Sequence, residues 1–293
     1  MKHPIRRLVA FGGAAAMAAA ITVPLASGTA TASAKVPAGF NKAVAVKFIR
    51  SGDKMRLARG GAHATSIKGV PGYYSYNWSG YAETGGTYSK VSGSWVEPAI
   101  TCDASDAGYQ IAAFWVGIDG DGSSTVEQDG TIEECYGGSY LGAADWWETF
   151  PTDSVQVVYG VTAGDHISAS VAFAHGVYTM SVKDTTASAN SFSQKQYCGL
   201  PSTCTNASAE WIGEAPCCNG SYEYDLAKWS PYIKFTAAKV TGSSGSGTIS
   251  TYAGGADESF LEMLGDQTNA PIADVTATNG AGNEFRDYWY GYN

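Results

Sequence analysis

The chain is poor in the residues on which most hydrolytic chemistry depends. Of its four histidines, His3 and His63 precede the main body, and His166 and His175 lie beside turn sequences, where a polar ring is ordinarily just hydrated. No G-x-S-x-G elbow accompanies them, so a serine nucleophile with a histidine base finds no support. Neither H-E-x-x-H nor C-x-x-C occurs, which removes the common zinc patterns. The paired Asp-Thr/Ser-Gly loops of pepsin-like enzymes are missing as well. The glycine-rich run "TGSSGSG" (241–247) lacks the lysine of a phosphate-binding loop and precedes no helix, so it reads as a flexible loop. Beyond the N-terminus no stretch approaches ~18 apolar residues, so the mature protein needs no membrane. Amphipathic helical stretches of ordinary length are absent too.

What is present begins with the ends. Lys2, Arg6 and Arg7 precede the small-apolar run "LVAFGGAAAMAAAITVPLA", and "TASA" ends at Ala34. This is the pattern of a cleaved secretory signal peptide over 1–34, and it predicts an extracellular protein. From Lys35 to Gly72 there are eight Lys/Arg and one acid, whereas from Tyr73 onward seven Lys/Arg stand against 26 Asp/Glu, a net of −19. Such asymmetry marks an appended segment with its own task. Residues 35–72 are therefore expected to be a basic propeptide docked on an acidic body, 73–293, as an intramolecular inhibitor. The body would repel nucleic acid. So few cations also suit work at low pH, where protonated carboxylates reduce self-repulsion.

Six cysteines in an exported chain read as disulfides. Cys102 is expected to pair with Cys135 and the other four among themselves, the adjacent Cys217 and Cys218 taking different partners. The sequons at Asn77, Asn206 and Asn219 matter only where the host glycosylates. Between turn signals, runs such as "YQIAAFWVGID", "SVQVVYGVTAG", "DHISASVAFAHG" and "VYTMSVKD" alternate apolar with small or polar residues. "TAGDH" and "AHGVY" look like hairpin turns joining three of them. Many short strands with almost no helix predict an all-β fold, a β-sandwich or jelly roll.

Carboxylates remain as the available chemistry. "ADWWETFP" places Glu148, and "SAEWIGEAP" places Glu210 and Glu214, inside aromatic strand-like segments. Burial beside tryptophan raises a carboxyl pKa and suits it to acid–base work, although most strand glutamates simply point outward. In "TVEQDGTIEEC", Gln128 stands between Glu127 and Asp129, which alternation turns to the other face, toward solvent or the loop.

"NWSGY" (77–81), "GSWVEP" (93–98), "FWVGIDG" (114–120), "EQDGT" around Gln128, "WWETFP" (146–151) and "AEWIGEAP" (209–216) occur in this order. Together they resemble the eqolisins, the glutamic peptidases. The resemblance implies a secreted, acid-acting endopeptidase made as a precursor. It also implies a β-sandwich of two curved antiparallel sheets and a Gln–Glu dyad that uses neither metal nor cofactor. The catalytic pair falls on Gln128 and Glu210. Trp115 and Asp119 match positions that support the dyad, and Trp146 and Glu148 match the neighbouring aromatic phrase. An aspartate that often precedes this phrase in the family has its ungapped match at Ala144. Asp145, one residue late, is expected on the opposite strand face. Glu214, four residues beyond Glu210, could share its face and is its rival.

The residue types fit the chemistry. At low pH an imidazole is locked as imidazolium, whereas a carboxylate still exchanges protons and a neutral amide has no titration to lose. The expected partners are polypeptide substrates and the chain's own propeptide, with a monomeric state. Two other readings remain open: a β-sandwich glycoside hydrolase using Glu148 and Glu210, and a carbohydrate-binding domain without catalysis.

Overall fold

A computed structural model describes residues 54–58, 63–198, 204–219 and 222–292. The expected signal peptide (1–34) and the first part of the expected propeptide (35–53) lie outside these residues. The described chain is built of strands, and its helical content is two short 3-10 turns, Ser188–Asn190 and Tyr252–Gly255.

Two sheets form a sandwich. The larger runs Asp153–Val161, Ser139–Phe150, Val126–Tyr136, Tyr109–Ile118, Ala209–Glu214, Trp78–Glu83 and Glu258–Leu264, each antiparallel to the next. Val70–Ser75 then adds in parallel, followed by His63–Ile67. The second sheet runs Phe192–Tyr197, Val177–Asp184, His166–Ala174, Tyr88–Val96 and Ile233–Gly242. This last strand serves both layers. Residues 233–235 pair with Phe285–Trp289 in the first sheet, and 236–242 pair with Tyr88–Val96 in the second. The switch falls at a register shift beside Ala237, whose φ of 51° bends the strand.

Alternation explains which residues lie where. In Val177–Asp184, Tyr178, Met180 and Val182 are buried while Lys183 is exposed, as one-sided packing requires. In Val126–Tyr136 every residue but the last is buried, because both faces of the larger sheet are covered. One apolar cluster, including Trp95, Phe114, Trp211, Trp229 and Phe235, fills the space between the sheets. A second, including Trp78, Trp115, Trp146 and Ile212, lies on the other face of the larger sheet.

Several sequence expectations need correction. "AHGVY" is a hairpin, with Ala174 opposite Val177 and both His175 and Gly176 at positive φ. "TAGDH" is not: it carries the chain from the larger sheet to the second, since the strands on either side of it do not pair with each other. "TGSSGSG" is an ordered hairpin, with Thr241 opposite Ser246 and Gly242 opposite Gly245. Glu127 and Asp129 do turn away from Gln128, but into the sandwich rather than to solvent, and both are buried. Cys102–Cys135 forms as expected, and Cys198 pairs with Cys204. Cys217 is bonded too. The expected separate partners of Cys217 and Cys218 turn on the Cys218 side chain, which lies outside the described residues.

Candidate active site

Strand register brings the two central residues together. Glu148, Gln128, Gly117, Glu210 and Ala82 stand opposite one another on five neighbouring strands. Residues in one such row project from the same face, so Gln128 and Glu210 look across Gly117 toward each other. Gly117 leaves the room between them. A Cβ there would lie 2.8 Å from the Trp115 ring and 3.3 Å from Gln128 Cβ. The next row on this face holds Trp146, Gly130, Trp115 and Ile212, which form an apolar floor beside the pair.

Each member of the pair has a defined setting. The Gln128 amide Nε2 donates to Glu148 Oε2 at 2.8 Å. That bond orients the amide and leaves its second N–H for another acceptor. Glu210 is fully buried. Burial raises its pKa well above the usual carboxylate range, and the nearby Asp121 and Asp119 add to the rise. The Ser208 hydroxyl and the Asp121 backbone amide oppose it.

The other expected residues have defined contacts of their own. Asp119 accepts from Thr205 Oγ1 at 2.7 Å, from the backbone N–H of Asn206 at 2.8 Å and of Ala207 at 2.7 Å, and from Thr125 Oγ1 at 3.3 Å. It thereby fixes the segment that delivers Glu210 three residues later. Trp115 donates its indole N–H to Glu214 Oε2 at 2.7 Å, and Trp78 donates to Glu214 Oε1 at 2.9 Å. Glu214 does share the face of Glu210, as even spacing requires, but both its oxygens are engaged in holding two tryptophans. Asp145 faces the sandwich interior, as expected, and accepts from the Tyr159 backbone N–H. All six expected site residues lie on the larger sheet or its Asp119 corner. The roles of Gly117 and Glu214 had no separate sequence signal, because both depend on cross-strand register. Among the described residues no cluster of His, Cys, Asp and Glu could hold a metal ion.

The sequence and the fold have parallels among known proteins. Residues 76–282 match the model of the Peptidase A4 family. Aspergillopepsin-2 of Aspergillus niger is 28% identical over 127 residues, a match covering 33% of this chain and 45% of that protein, so less than half of that relative is spanned. The fold resembles that of scytalido-glutamic peptidase, solved with a peptide-based transition-state analogue, with a TM-score of 0.59 and 21% identity over 73% of this chain and 98% of that one. SCP-B, described as a member of the eqolisin family and solved with the tripeptide Ala-Ile-His, gives 0.56 and 21% identity over the same shares. Since the family match spans well over half of the sequence and contains both Gln128 and Glu210, the chain belongs to the Peptidase A4 family, the eqolisins.

Proposed function

We propose that this protein is a secreted, acid-acting endopeptidase in which Glu210 activates water and Gln128 stabilises the oxyanion. The observation that carries the reading is the row in which Gln128 and Glu210 face each other across a glycine, with the amide held by Glu148. Peptide hydrolysis needs an activated water, a donor for the tetrahedral oxyanion, and a proton for the leaving nitrogen. Ionised Glu210 takes a proton from water as it attacks the carbonyl carbon. The oxyanion accepts from the N–H of Gln128 that Glu148 does not use. Glu210 then returns the proton to the departing amine. No step uses a metal or a cofactor.

Residues 54–58 support the precursor reading. Lys54 touches two corners of the larger sheet: its carbonyl accepts from Asn77 Nδ2 at 3.0 Å, and its ammonium lies 5.5 Å from the Phe150 ring centre. Met55 packs against the apolar cluster on the same face of the larger sheet. A strap across the face that carries the pair would exclude substrate and would also hold Glu210 neutral by burial, so both blocks lift when it leaves. Disulfides and the N-terminal signal pattern support secretion.

The test is digestion of a denatured protein at acid pH by the acid-treated protein, beside a polysaccharide assay on the same sample. Peptide release that disappears in a folded Glu210→Gln variant is expected. Sugar release without peptide release would instead favour the glycoside hydrolase.

A further inference from the structure

The contacts of the strap suggest more than inhibition. Asn77 Oδ1 accepts from the Arg56 backbone N–H at 2.8 Å while its Nδ2 binds the Lys54 carbonyl, so one buried amide grips the main chain on both sides of Met55. The Tyr76 backbone N–H donates to the Arg56 carbonyl at 2.8 Å, and Leu57 bridges Ser75 in antiparallel fashion. None of these main-chain bonds depends on which side chains the strap carries. They are those of an extended polypeptide added to a strand edge.

The side chains supply selectivity. The partly buried Met55 packs against the apolar cluster that includes Trp78, Trp115 and Leu261. The Arg56 guanidinium pairs with Glu223, lies 3.7 Å from Asp266 Oδ2, and sits over the Tyr76 ring at 6.0 Å. Glu223 and Asp266 are 0% and 4% exposed, and among the described residues the other ion pair of the chain, Lys234–Glu284, lies elsewhere. Departure of the strap would withdraw the Arg56 guanidinium from these two buried carboxylates, and an acidic socket of this kind favours another cation.

We infer that the same cradle, once vacated, is a substrate subsite that reads an apolar residue followed by arginine or lysine in an extended polypeptide. The inference rests on the peptidase reading and adds substrate class and register to it. Asn77 precedes Ala82, the residue opposite Glu210, by five positions, or about 17 Å of strand. From Leu57 back to Lys54 the strap advances from Ser75 to Asn77, toward that row. A substrate bound in the same direction therefore places its basic residue roughly five positions C-terminal to the cleaved bond.

The test maps cleavage sites by mass spectrometry, using the acid-activated full chain and a peptide library made with a Glu-specific protease. The expected map shows Lys/Arg enriched about tenfold at one position some five residues after the cleaved bond, with an apolar residue just before it. In Glu223→Gln/Asp266→Asn the enrichment falls to background while peptides without a basic residue are still cut. Should that variant not fold, wild-type kcat/KM on a peptide pair differing by Arg→Gln at the enriched position decides, with about a tenfold drop expected. A wild-type map with no basic preference in this region, or a preference that survives the double substitution, overturns the inference alone. Absence of any cleavage by the wild type overturns the peptidase reading as well.

Discussion

Gln128 owes its suitability to a neighbour that the sequence places 20 residues away. Its amide is held by Glu148 through strand register, so Glu148 is a positioning residue in the proposed mechanism. Glu148→Ala leaves the amide free to rotate, and misplacement on the ångström scale costs about 10²-fold in rate. The expected result is a lower kcat with KM little changed, measured on a short peptide substrate, with partial recovery in Glu148→Gln, whose amide oxygen still accepts. The candidate pair could be named from the sequence because the surrounding phrases resemble one family. What alternation misjudged was the other face. Glu127 and Asp129 look like surface acids in a list of residues, yet the second sheet covers them. Only the pairing of distant strands could have revealed that cover.

Strands and loops deliver these residues, and their contributions can be tested separately. Asp119, at a φ of 67°, anchors residues 205–207 through three hydrogen bonds. Asp119→Ala removes them and leaves a strained left-handed residue, so loss of activity is expected together with a stability loss on the order of 2–3 kcal/mol in urea unfolding. Asp119→Asn tolerates the backbone and retains an acceptor, so it should fall between wild type and alanine. The sequons follow from the same elements. Asn77 grips the strap and Asn206 accepts from Tyr178 Oη at 2.7 Å, both buried. Expression in a glycosylating host should therefore leave both unmodified by mass spectrometry of the folded product. Hairpin "AHGVY" was legible from its turn chemistry. The crossover "TAGDH" was not, because a turn sequence does not say whether the next strand joins the same sheet.

At the scale of the molecule, buried carboxyls among the described residues outnumber the cations that could pair with them. Burial raises Glu83 and Glu127 to about 9 and Asp145 to about 8, each helped by neighbouring acids. A carboxyl whose pKa is raised on folding keeps its proton where the unfolded chain has lost it. The folded state then binds more protons between roughly pH 4 and 9, and stability falls as pH rises through that window. Below about pH 4 both states are protonated and the penalty vanishes. The midpoint of urea unfolding should therefore be highest in acid and decline steadily toward pH 8. A midpoint that rises over this range would contradict the buried-acid picture. Composition alone pointed toward acid tolerance, since so few cations serve the body. The reason it could not supply is that the acids are packed between sheets and not spread over the surface.

The most direct measurement compares acid-activated wild type with Gln128→Ala on a denatured protein substrate, each shown by circular dichroism to be folded. A rate lower by on the order of 10²–10³ is expected, the usual cost of one oxyanion donor. A folded Gln128→Ala that turns over at the wild-type rate would contradict the assignment of Gln128 and Glu210 as the working pair.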